Sequence, residues 1–409
     1  MSVRMRGFEK YSPLGAALKL VLSHVRPLPP ESVPFQNTVG RVLAEDVVAE
    51  SDSPPFRRST MDGFAVRASD TFGAGPSTPV ALNVVGSVRS GFMPKASVGR
   101  KEALKIMTGA PVPKGADAVV MVEHTKLQGR RLEVLLPVTP GKNTSERGED
   151  IKAGEVVLKK GHVIHPQDVG MFAQMQNLGV RVFRRPKVAV ATTGEELVAP
   201  GRKLPPAKIV DSNSYSLAAA VTAAGGVPQV LGIAPDDRQS IKKLIQRSLG
   251  HDMVLLSGGS SVGEFDLVPE IISEMGKMVF HGVSIRPGGP TAFGVIKKKP
   301  VFCLAGFPVA TLVAFHLLVR PALLAMQELP PDHGRRAVTA RLTKDVSGTL
   351  GRMDVVRVRV RKAREWLAEP LMVGGSSLLS SMTGADGFIT VPEDIEGLNK
   401  GQKVEVELY

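Results

Sequence analysis

The chain has 409 residues, 43% of them hydrophobic and 22% charged, a composition typical of globular proteins rather than disordered ones. This length exceeds a single ordinary core, so we expect about three or four domains. The net charge of +13 favours anionic partners. The single cysteine, Cys303, excludes disulfides within the chain and cysteine-ligated zinc, and its apolar neighbours predict a buried strand thiol.

The longest apolar stretch, residues 308–329, contains His316 and Arg320 and ends in a proline pair, which predicts a core helix rather than a membrane span. The first ten residues lack the apolar segment of a secretory signal, so we expect a cytoplasmic protein with no membrane partner.

Helical spacing of apolar residues at positions 11–26 predicts a first helix, which a proline cluster ends. From residue 52 to residue 139, short valine-rich runs alternate with Gly and Pro clusters, and this pattern predicts a small β domain. A brief helix is expected at residues 170–179.

Strands and helices alternate after residue 186, where the secondary-structure pattern of the sequence is clearest. We expect strands at residues 187–191, 229–233, 253–257 and 301–304, and helices at residues 214–224, from 236 onward, 267–275 and 308–327. This βαβ repetition predicts a mostly parallel sheet with helices on both faces.

A linker at residues 330–334 precedes a region of strands and turns, which predicts a C-terminal β domain. In residues 352–364, Arg357, Arg359 and Arg361 alternate with valines, as in a strand with one solvated face. Because no aromatic residues interleave with these arginines to stack bases, we expect no nucleic-acid partner.

One glycine-rich loop, residues 257–266, follows a predicted strand and precedes a helix, where open α/β sheets bind ligands. Its spacing is neither the dinucleotide fingerprint nor the P-loop, and a plain glycine turn is the alternative interpretation. Its backbone N–H groups and serine hydroxyls suit an anion. Its carboxylates would repel a phosphate unless a hard cation lay between them, which suggests Mg²⁺. The residues concerned are Gly258, Gly259, Ser260, Ser261, Gly263, Glu264 and Asp266.

Other predicted strand-end loops carry matching chemistry. Thr192, Thr193 and Glu196 follow the strand at residues 187–191. Asp237 follows the next strand, although a helix cap explains a carboxylate there equally well. Arg286 adds a cation beside a rigid Gly/Pro turn. Together these loops predict a site for a polyanionic, pyrophosphate-like ligand with a metal ion.

Four ordered motifs resemble the signatures of the molybdopterin molybdenumtransferase family: residues 59–66 (Ser-Thr-Met-Asp-Gly-Phe-Ala-Val), 106–120, 147–151 and the glycine-rich loop. The resemblance implies a multidomain α/β protein whose pterin-binding domain, a mostly parallel α/β sandwich, spans residues 185–329. It further implies an elongated, discontinuous N-terminal lobe at residues 1–51 and 140–184, a β insert at residues 52–139 and a C-terminal β domain at residues 330–409.

The activity that this resemblance implies is Mg²⁺-dependent insertion of molybdenum, from molybdate, into adenylylated molybdopterin. AMP is released, and the reaction is the last step of molybdenum-cofactor biosynthesis. Members of the family are similar in forming head-to-tail homodimers, with the active site between the α/β domain of one subunit and the β insert of the other. Molybdopterin adenylyltransferase and apo-molybdoenzymes are the protein partners that the resemblance suggests.

Residue roles also follow from the resemblance. The nucleotide phosphates and Mg²⁺ would be contacted, directly or through water, by Asp62 and Asp266. The pterin and molybdate region would be lined by Thr108, Asp150, Glu196 and Asp237. Further substrate contacts would come from Pro287 and Pro308 and, from the C-terminal domain, from Arg352 and Ser376. We expect Arg286 to be the principal cation for molybdate.

Two motifs depart from the family pattern. Residues 304–310 read Leu-Ala-Gly-Phe-Pro-Val-Ala instead of Leu-Pro-Gly-Asn-Pro-Val-Ser, and Gly282 and Gly289 stand where the family usually has lysine. These changes remove donors and cations from the expected oxyanion site. The chain could therefore be a related protein that binds pterin or nucleotide as a carrier or scaffold. An insertase that prefers tungstate is a further alternative. A nucleotide-cleaving enzyme is a weaker alternative, because the motifs of Asp62 and Thr108 belong to the β insert.

Overall fold

The computed structural model describes residues 11–259, 267–371 and 375–409. The chain divides into two compact units. The larger unit contains the residues up to Ser32, Gly40–Val42 and Arg181–Tyr409, and the smaller unit contains Val33–Val39 and Leu43–Val180.

The first helix, α1, spans Leu14–Ser23, which confirms the helix predicted at residues 11–26 with shorter ends. Its buried residues Ala17 and Val21 share a core cluster with Val190 and Leu217 of the larger unit. The sequence grouped this helix with the N-terminal lobe, whereas its apolar face packs in the α/β core.

The smaller unit is built mainly of short strands. After β1 (Pro30–Pro34), the chain forms β2 (Val47–Val48), β3 (Arg58–Ser59), β4 (Gly63–Val66), β5 (Val80–Val88), β6 (Glu102–Ile106), β7 (Ala118–Met121), β8 (Thr125–Gln128) and β9 (Arg131–Val134). Six of these strands form one sheet in the order β7-β4-β6-β5-β9-β8. Phe64, Leu82, Val120 and Leu132 pack together on it, which confirms the predicted β domain.

The rest of the smaller unit begins with β10 (Thr144–Ser145) and β11 (Val156–Leu158), and ends with α2 (Pro166–Gln174) and part of β12 (Gly179–Phe183). The prediction of a helix at residues 170–179 was wrong at both ends. Pro166 suits the first helical position, and the Asp168 carboxylate accepts a hydrogen bond from the His165 N–H at 2.7 Å. These local interactions begin the helix four residues before Gly170.

The larger unit contains the predicted alternation of strands and helices. Its first elements are β13 (Lys187–Thr193), β14 (Leu197–Val198), β15 (Ile209–Val210), α3 (Asn213–Ala223), β16 (Val227–Ala234), α4 (Arg238–Ser248), β17 (Met253–Ser257), α5 (Leu267–Met275), β18 (Lys277–His281), β19 (Ile285–Arg286), β20 (Ala292–Ile296) and β21 (Lys299–Leu304). Six strands form a sheet in the order β16-β13-β17-β21-β20-β18. The first four strands pair in parallel, and β20 pairs antiparallel with both β21 and β18, so β20 alone of the six runs in the opposite direction, which confirms a mostly parallel sheet.

Helices cover both faces of this sheet. Val190 of β13 faces a core cluster that contains Leu217 of α3, whereas its neighbour Ala191 faces a second cluster that contains Ile241 of α4. Successive strand residues point to opposite faces, so both faces of β13 are apolar. Cys303 is fully buried in β21, as predicted.

The apolar segment after β21 consists of α6 (Pro308–Ala314), a π-helical turn (Phe315–Val319) and α7 (Arg320–Ala325). Its mean hydropathy of 1.7 and its length would suit a membrane span, but 67% of the segment is buried inside the protein. It is therefore the core helix that the sequence predicts. Pro321 lacks an N–H, which explains why the regular hydrogen bonding changes just before it.

Five of the seven C-terminal strands in the described ranges belong to a third six-stranded sheet. The seven strands are β22 (Arg336–Leu342), β23 (Val346–Ser347), β24 (Met353–Lys362), β25 (Trp366–Pro370), β26 (Gly387–Val391), β27 (Gly397–Leu398) and β28 (Lys403–Leu408), with the short α8 (Ser380–Thr383) before β26. The sheet order is β19-β24-β25-β22-β28-β26, and β24 also pairs with β26. The remaining two strands, β23 and β27, pair with each other. The predicted C-terminal β domain is therefore confirmed.

The prediction of one solvated face on β24 was wrong at Arg357. Arg359 and Arg361 are exposed as expected, but Arg357 is only 7% exposed. Val355, on the same face two residues earlier, packs against Val309 of α6. The helix thus covers the first half of a strand whose second half reaches solvent.

Candidate functional site

Loops that follow the parallel strands of the larger unit meet at one edge of the sheet. The Asn213 amide donates to Ser257 Oγ at 2.8 Å and to the Gly306 carbonyl at 2.7 Å, which links α3 to the ends of β17 and β21. The Glu195 N–H donates to the Asp236 carboxylate at 3.3 Å, which links the loops after β13 and β16. The strand-end loops chosen from the sequence therefore lie along a common edge.

The glycine-rich loop begins with a turn that only glycine fits. Gly258 has a φ of +103°, and a Cβ there would lie 2.3 Å from the Thr193 carbonyl oxygen. Thr193 is 3% exposed, and within the described ranges its Oγ1 has no hydrogen-bond partner. A buried hydroxyl that has no such partner and lies beside a tight turn is suited to donate a hydrogen bond to a ligand.

The remainder of the predicted anion loop, with Ser260, Ser261, Gly263, Glu264 and Asp266, lies outside the described residues. Gly259 is described, with a φ of +60°. The roles of the loop's serines and carboxylates therefore stay predictions.

Thr192 is engaged in holding α3. Its hydroxyl donates to Asp211 Oδ2 at 3.0 Å, and Asp211 Oδ1 accepts from the Ser214 N–H at 3.1 Å. All three residues are buried. The sequence predicted the helix at residues 214–224, but the positioning roles of Asp211 and Asn213 were missed.

Asp237 caps α4, which is the alternative role that the sequence allowed for this residue. Its Oδ1 accepts from the Ser240 N–H at 2.8 Å, and hydrogen bonds from the side chain and backbone of Ser240 lower the pKa of the carboxyl. Glu196 is exposed, and its carboxylate lies against Gly194, where an added Cβ would be 2.8 Å from Oε2. Contacts of Asp237 and Glu196 with substrate stay predictions.

A cavity of about 660 Å³ lies in the larger unit, and we call it the arginine cavity. It is lined by the turn after β19, the start of α6 and the first half of β24. Four residues proposed from the sequence line it together: Arg286, Pro287, Arg352 and Ser376. Pro308 is the first residue of α6, next to the lining residue Phe307.

Among the described residues, three arginines and one aspartate line the arginine cavity, so their formal charges sum to two positive units: Arg286, Arg352, Arg357 and Asp354. Arg286 Nε and Nη2 donate to the two Asp354 oxygens at 2.6 and 2.7 Å, and Asp354 is 2% exposed. The charge of Arg286, the expected principal cation, is therefore offset by a buried carboxylate. The positive excess of the cavity comes from Arg352 and Arg357.

These two arginines are held in different ways. The Arg352 guanidinium lies over the Tyr11 ring, with Cζ 4.4 Å from the ring centroid. Arg357 is buried in the cavity wall, and this burial lowers its pKa although the nearby Tyr409 acts in the opposite direction. Arginine remains charged at neutral pH, and water screens a buried cation poorly.

In the smaller unit, Asp62 and Thr108 form a close pair. The Thr108 N–H and Oγ1 both donate to Asp62 Oδ1, at 2.6 and 2.8 Å. The antiparallel pairing of Gly63 with Ile106 brings the two turns together from positions 46 residues apart. These hydrogen bonds lower the pKa of the Asp62 carboxyl, which stays ionised in mildly acidic solution.

Asp150 also lies in the smaller unit, where its Oδ2 accepts from Gln174 Nε2 at 3.2 Å. In the described ranges no three His, Cys, Asp or Glu side chains form a group that could hold a metal ion. The predicted metal pair of Asp62 and Asp266 stays a prediction, because Asp266 is outside those ranges. An ionised carboxylate such as Asp62 is nevertheless the kind of ligand that Mg²⁺ prefers.

Comparison with known proteins gives a consistent result over the whole chain. Three family models match: MoeA N-terminal region (domain I and II) at residues 12–175, probable molybdopterin binding domain at residues 189–325, and MoeA C-terminal region (domain IV) at residues 339–409. The chain is 36% identical over 419 residues to a putative molybdopterin biosynthesis protein of Methanocaldococcus jannaschii, covering 99% of this chain and 100% of that protein. It is 34% identical over 398 residues to molybdopterin molybdenumtransferase 2 of Mycobacterium tuberculosis, covering 95% and 97%.

The fold is similar to that of solved structures. Two crystal structures of the molybdopterin biosynthesis MoeA protein of Pyrococcus horikoshii match with TM-scores of 0.86 and 0.84, at 39% and 37% identity. The matches cover 98% of this chain and 99% and 100% of those chains. The resemblance found in the sequence and the predicted multidomain α/β fold are both confirmed.

Proposed function

Because the chain belongs to the molybdopterin molybdenumtransferase family, we propose that it inserts molybdenum, from molybdate, into adenylylated molybdopterin and releases AMP. Membership of the family supports a transferase that acts on molybdopterin in molybdenum-cofactor biosynthesis. The proposal adds the metal donor, the leaving group and the position of the reaction as the last step.

The arginine cavity is the observation that carries this proposal. Molybdate is a tetrahedral dianion, and the cavity combines two positive charges in excess with the donors of Arg352, Arg357 and Ser376. Guanidinium groups present several N–H donors to an oxyanion at once. The volume of about 660 Å³ is typical of a small-molecule site and leaves room for a pterin beside the oxyanion.

The turn at Gly258 and Gly259, with the Thr193 hydroxyl, is proposed to bind the phosphates of the substrate. This turn is adjacent to the loop that enters the cavity, since a Cβ on Gly306 would lie 3.8 Å from Gly258 Cα. An adenylylated substrate has its dithiolene and its pyrophosphate in neighbouring parts of one molecule. The adjacency of the two regions supports binding of such a substrate.

Asp62 and Asp266 are proposed to hold Mg²⁺, directly or through water. When bound, Mg²⁺ neutralises charge that develops on the phosphate oxygens as the pyrophosphate bond breaks. Thr108 contributes by keeping the Asp62 carboxylate ionised and oriented. In this proposal the pterin and molybdate region is completed by Asp150, Glu196 and Asp237.

The family resemblance alone suggests the wider context. We propose a cytoplasmic homodimer that receives its substrate from a molybdopterin adenylyltransferase and supplies apo-molybdoenzymes. Light scattering on the purified chain tests the homodimer, and a mass of one subunit would contradict it.

A carrier or scaffold is the second candidate function, and the loop at residues 304–310 favours it. Phe307 and Gly289 line the arginine cavity where the family pattern has an amide and a lysine. Arg357, which the sequence did not indicate as a site residue, weighs against the scaffold because it adds an arginine to the lining of the same cavity.

The deciding experiment incubates the purified protein with adenylylated molybdopterin, Mg²⁺ and molybdate, and follows AMP release and molybdenum incorporation together. We expect both products. AMP without metal transfer would indicate a hydrolase, and neither product would indicate a scaffold. Faster incorporation of tungstate than of molybdate would indicate a tungstate-preferring insertase.

A further inference from the structure

Phe307 is an aromatic residue at a position where local structure favours a polar one. It is the N-cap residue of α6, makes no side-chain capping hydrogen bond and is 58% exposed. Ser, Thr, Asn or Asp at an N-cap would stabilise the helix, and an exposed ring leaves apolar surface in water. Neither capping nor core packing therefore explains a phenylalanine here, and such local conflicts concentrate at functional sites.

The backbone on both sides of the ring is fixed. The Gly306 carbonyl accepts from the Asn213 amide at 2.7 Å. The Phe307 carbonyl accepts from the Thr311 N–H at 2.9 Å and from Thr311 Oγ1 at 3.1 Å. The ring is thus carried by an ordered turn, which reduces the entropy lost when a ligand packs against it.

The surroundings of Phe307 define the chemistry of that ligand. Phe307 lines the arginine cavity together with Arg352, Arg357 and Ser376. An apolar aromatic face beside clustered cations suits a ligand that joins a flat heteroaromatic ring to an anionic group. Such rings stack on phenylalanine through their π faces.

Two rings of the proposed substrate, pterin and adenine, have this shape. The dithiolene that receives the metal is attached on the pterin side, whereas the pyrophosphate separates it from adenine. If the arginines hold molybdate, the ring next to them is the pterin. We propose that Phe307 stacks on the pterin ring and makes the arginine cavity selective for pterin-bearing anions; this inference rests on the proposed function.

The test compares the binding of three probes to the full chain: 6-hydroxymethylpterin monophosphate, AMP and tungstate. The variants are Phe307→Asn, which removes the ring, and Phe307→Trp, which keeps an aromatic face. Phe72→Asn is the matched control, because Phe72 is also 58% exposed but lies in the smaller unit and does not line the cavity. Asparagine is a favourable N-cap residue, so Phe307→Asn should melt at or above the wild-type temperature.

We expect Phe307→Asn to weaken binding of the pterin monophosphate about tenfold, measured by quenching of pterin fluorescence. Phe307→Trp and Phe72→Asn should bind it like the wild type. Binding of tungstate and AMP should change by less than about twofold in every variant.

Several results would overturn the inference. The first is that Phe307→Asn binds the pterin monophosphate as tightly as the wild type does. The second is that Phe307→Asn loses as much affinity for AMP as for the pterin monophosphate. The third is that the wild-type protein does not bind the pterin monophosphate. None of these results changes the outcome of the insertion assay. Conversely, if the wild type yields neither AMP nor inserted metal but Phe307→Asn still selectively loses the pterin probe, the proposed function fails and the ring-binding role stands.

Discussion

Replacing Arg357 by methionine removes a cation from the wall of the arginine cavity while keeping an unbranched side chain. Arg357 is 7% exposed and lines the cavity. Arg359, two positions further along β24, is exposed and does not line the cavity. Arg359→Met is therefore a matched control that removes the same charge from the same strand.

The size of the effect follows from where each charge lies. Two unit charges 4 Å apart interact by about 4 kcal/mol at an effective dielectric constant of about 20, and by about 1 kcal/mol in bulk water. After desolvation, a hydrogen bond to a charged group contributes about 1.5–3 kcal/mol. We therefore expect Arg357→Met to weaken tungstate binding about 10- to 100-fold, and Arg359→Met to weaken it less than about twofold.

Isothermal titration with tungstate at neutral pH, at about 0.15 M and about 0.5 M salt, measures both variants. Salt should abolish any effect of the exposed Arg359, whereas the effect of the buried Arg357 should persist. Equal losses in the two variants would show that only net charge matters. An unchanged affinity of Arg357→Met would refute the assignment of the arginine cavity as the oxyanion site.

Four further predictions concern a carboxylate, its hydrogen-bond donor, a turn and a buried ion pair. Asp62→Asn keeps an oxygen that accepts from Thr108 but loses the charge, so AMP release should fall at least about 100-fold without a change in melting temperature. Thr108→Val removes a hydrogen bond that lowers the pKa of Asp62, so this pKa should rise and the acidic limb of the pH–rate profile should move to higher pH. An unmoved limb would contradict this role of Thr108. Gly258→Ala should lower the free energy of unfolding by about 2 kcal/mol in urea titration, because φ is +103° and the Cβ would lie 2.3 Å from a backbone carbonyl; a wild-type value would contradict the turn geometry. Burial would raise the pKa of Asp252, but hydrogen bonds from Arg184 and other groups outweigh it and the pKa is lowered. The pair therefore stabilises the protein at pH values above the unfolded carboxyl pKa of about 4. Asp252→Asn should lower the free energy of unfolding by about 3 kcal/mol at neutral pH, and by progressively less as the pH falls below about 4. A loss that does not depend on pH would contradict the linkage between this pair and protonation.

Strands and helices with a strong local signal were predicted well from the sequence. Met253–Ser257 and Leu267–Met275 match their predicted bounds, because a short apolar run and an amphipathic segment with polar flanks each favour one structure. The helix at Pro166–Gln174 was misplaced at residues 170–179, because capping at His165 and Pro166 determines where it starts. Local hydrogen bonds outweighed the cost of Gly170 inside the helix.

The candidate site was predicted in part. The family motifs indicated Asp62 and Thr108, and strand pairing brings these residues within hydrogen-bond distance. Alternation along β24 correctly separated its two faces, but it contained no information on which face α6 would cover, and so Arg357 was missed. The offset of Arg286 by Asp354 was missed for a similar reason, since these residues are 68 positions apart in the chain.

The proposed function requires an oxyanion bound among these arginines. The direct measurement is the anomalous diffraction of tungsten in crystals of the protein soaked with tungstate. We predict one strong peak inside the arginine cavity, within hydrogen-bond distance of Arg352 and Arg357. A fully occupied peak elsewhere, with none in the cavity, would show that the arginine cavity is not the oxyanion site.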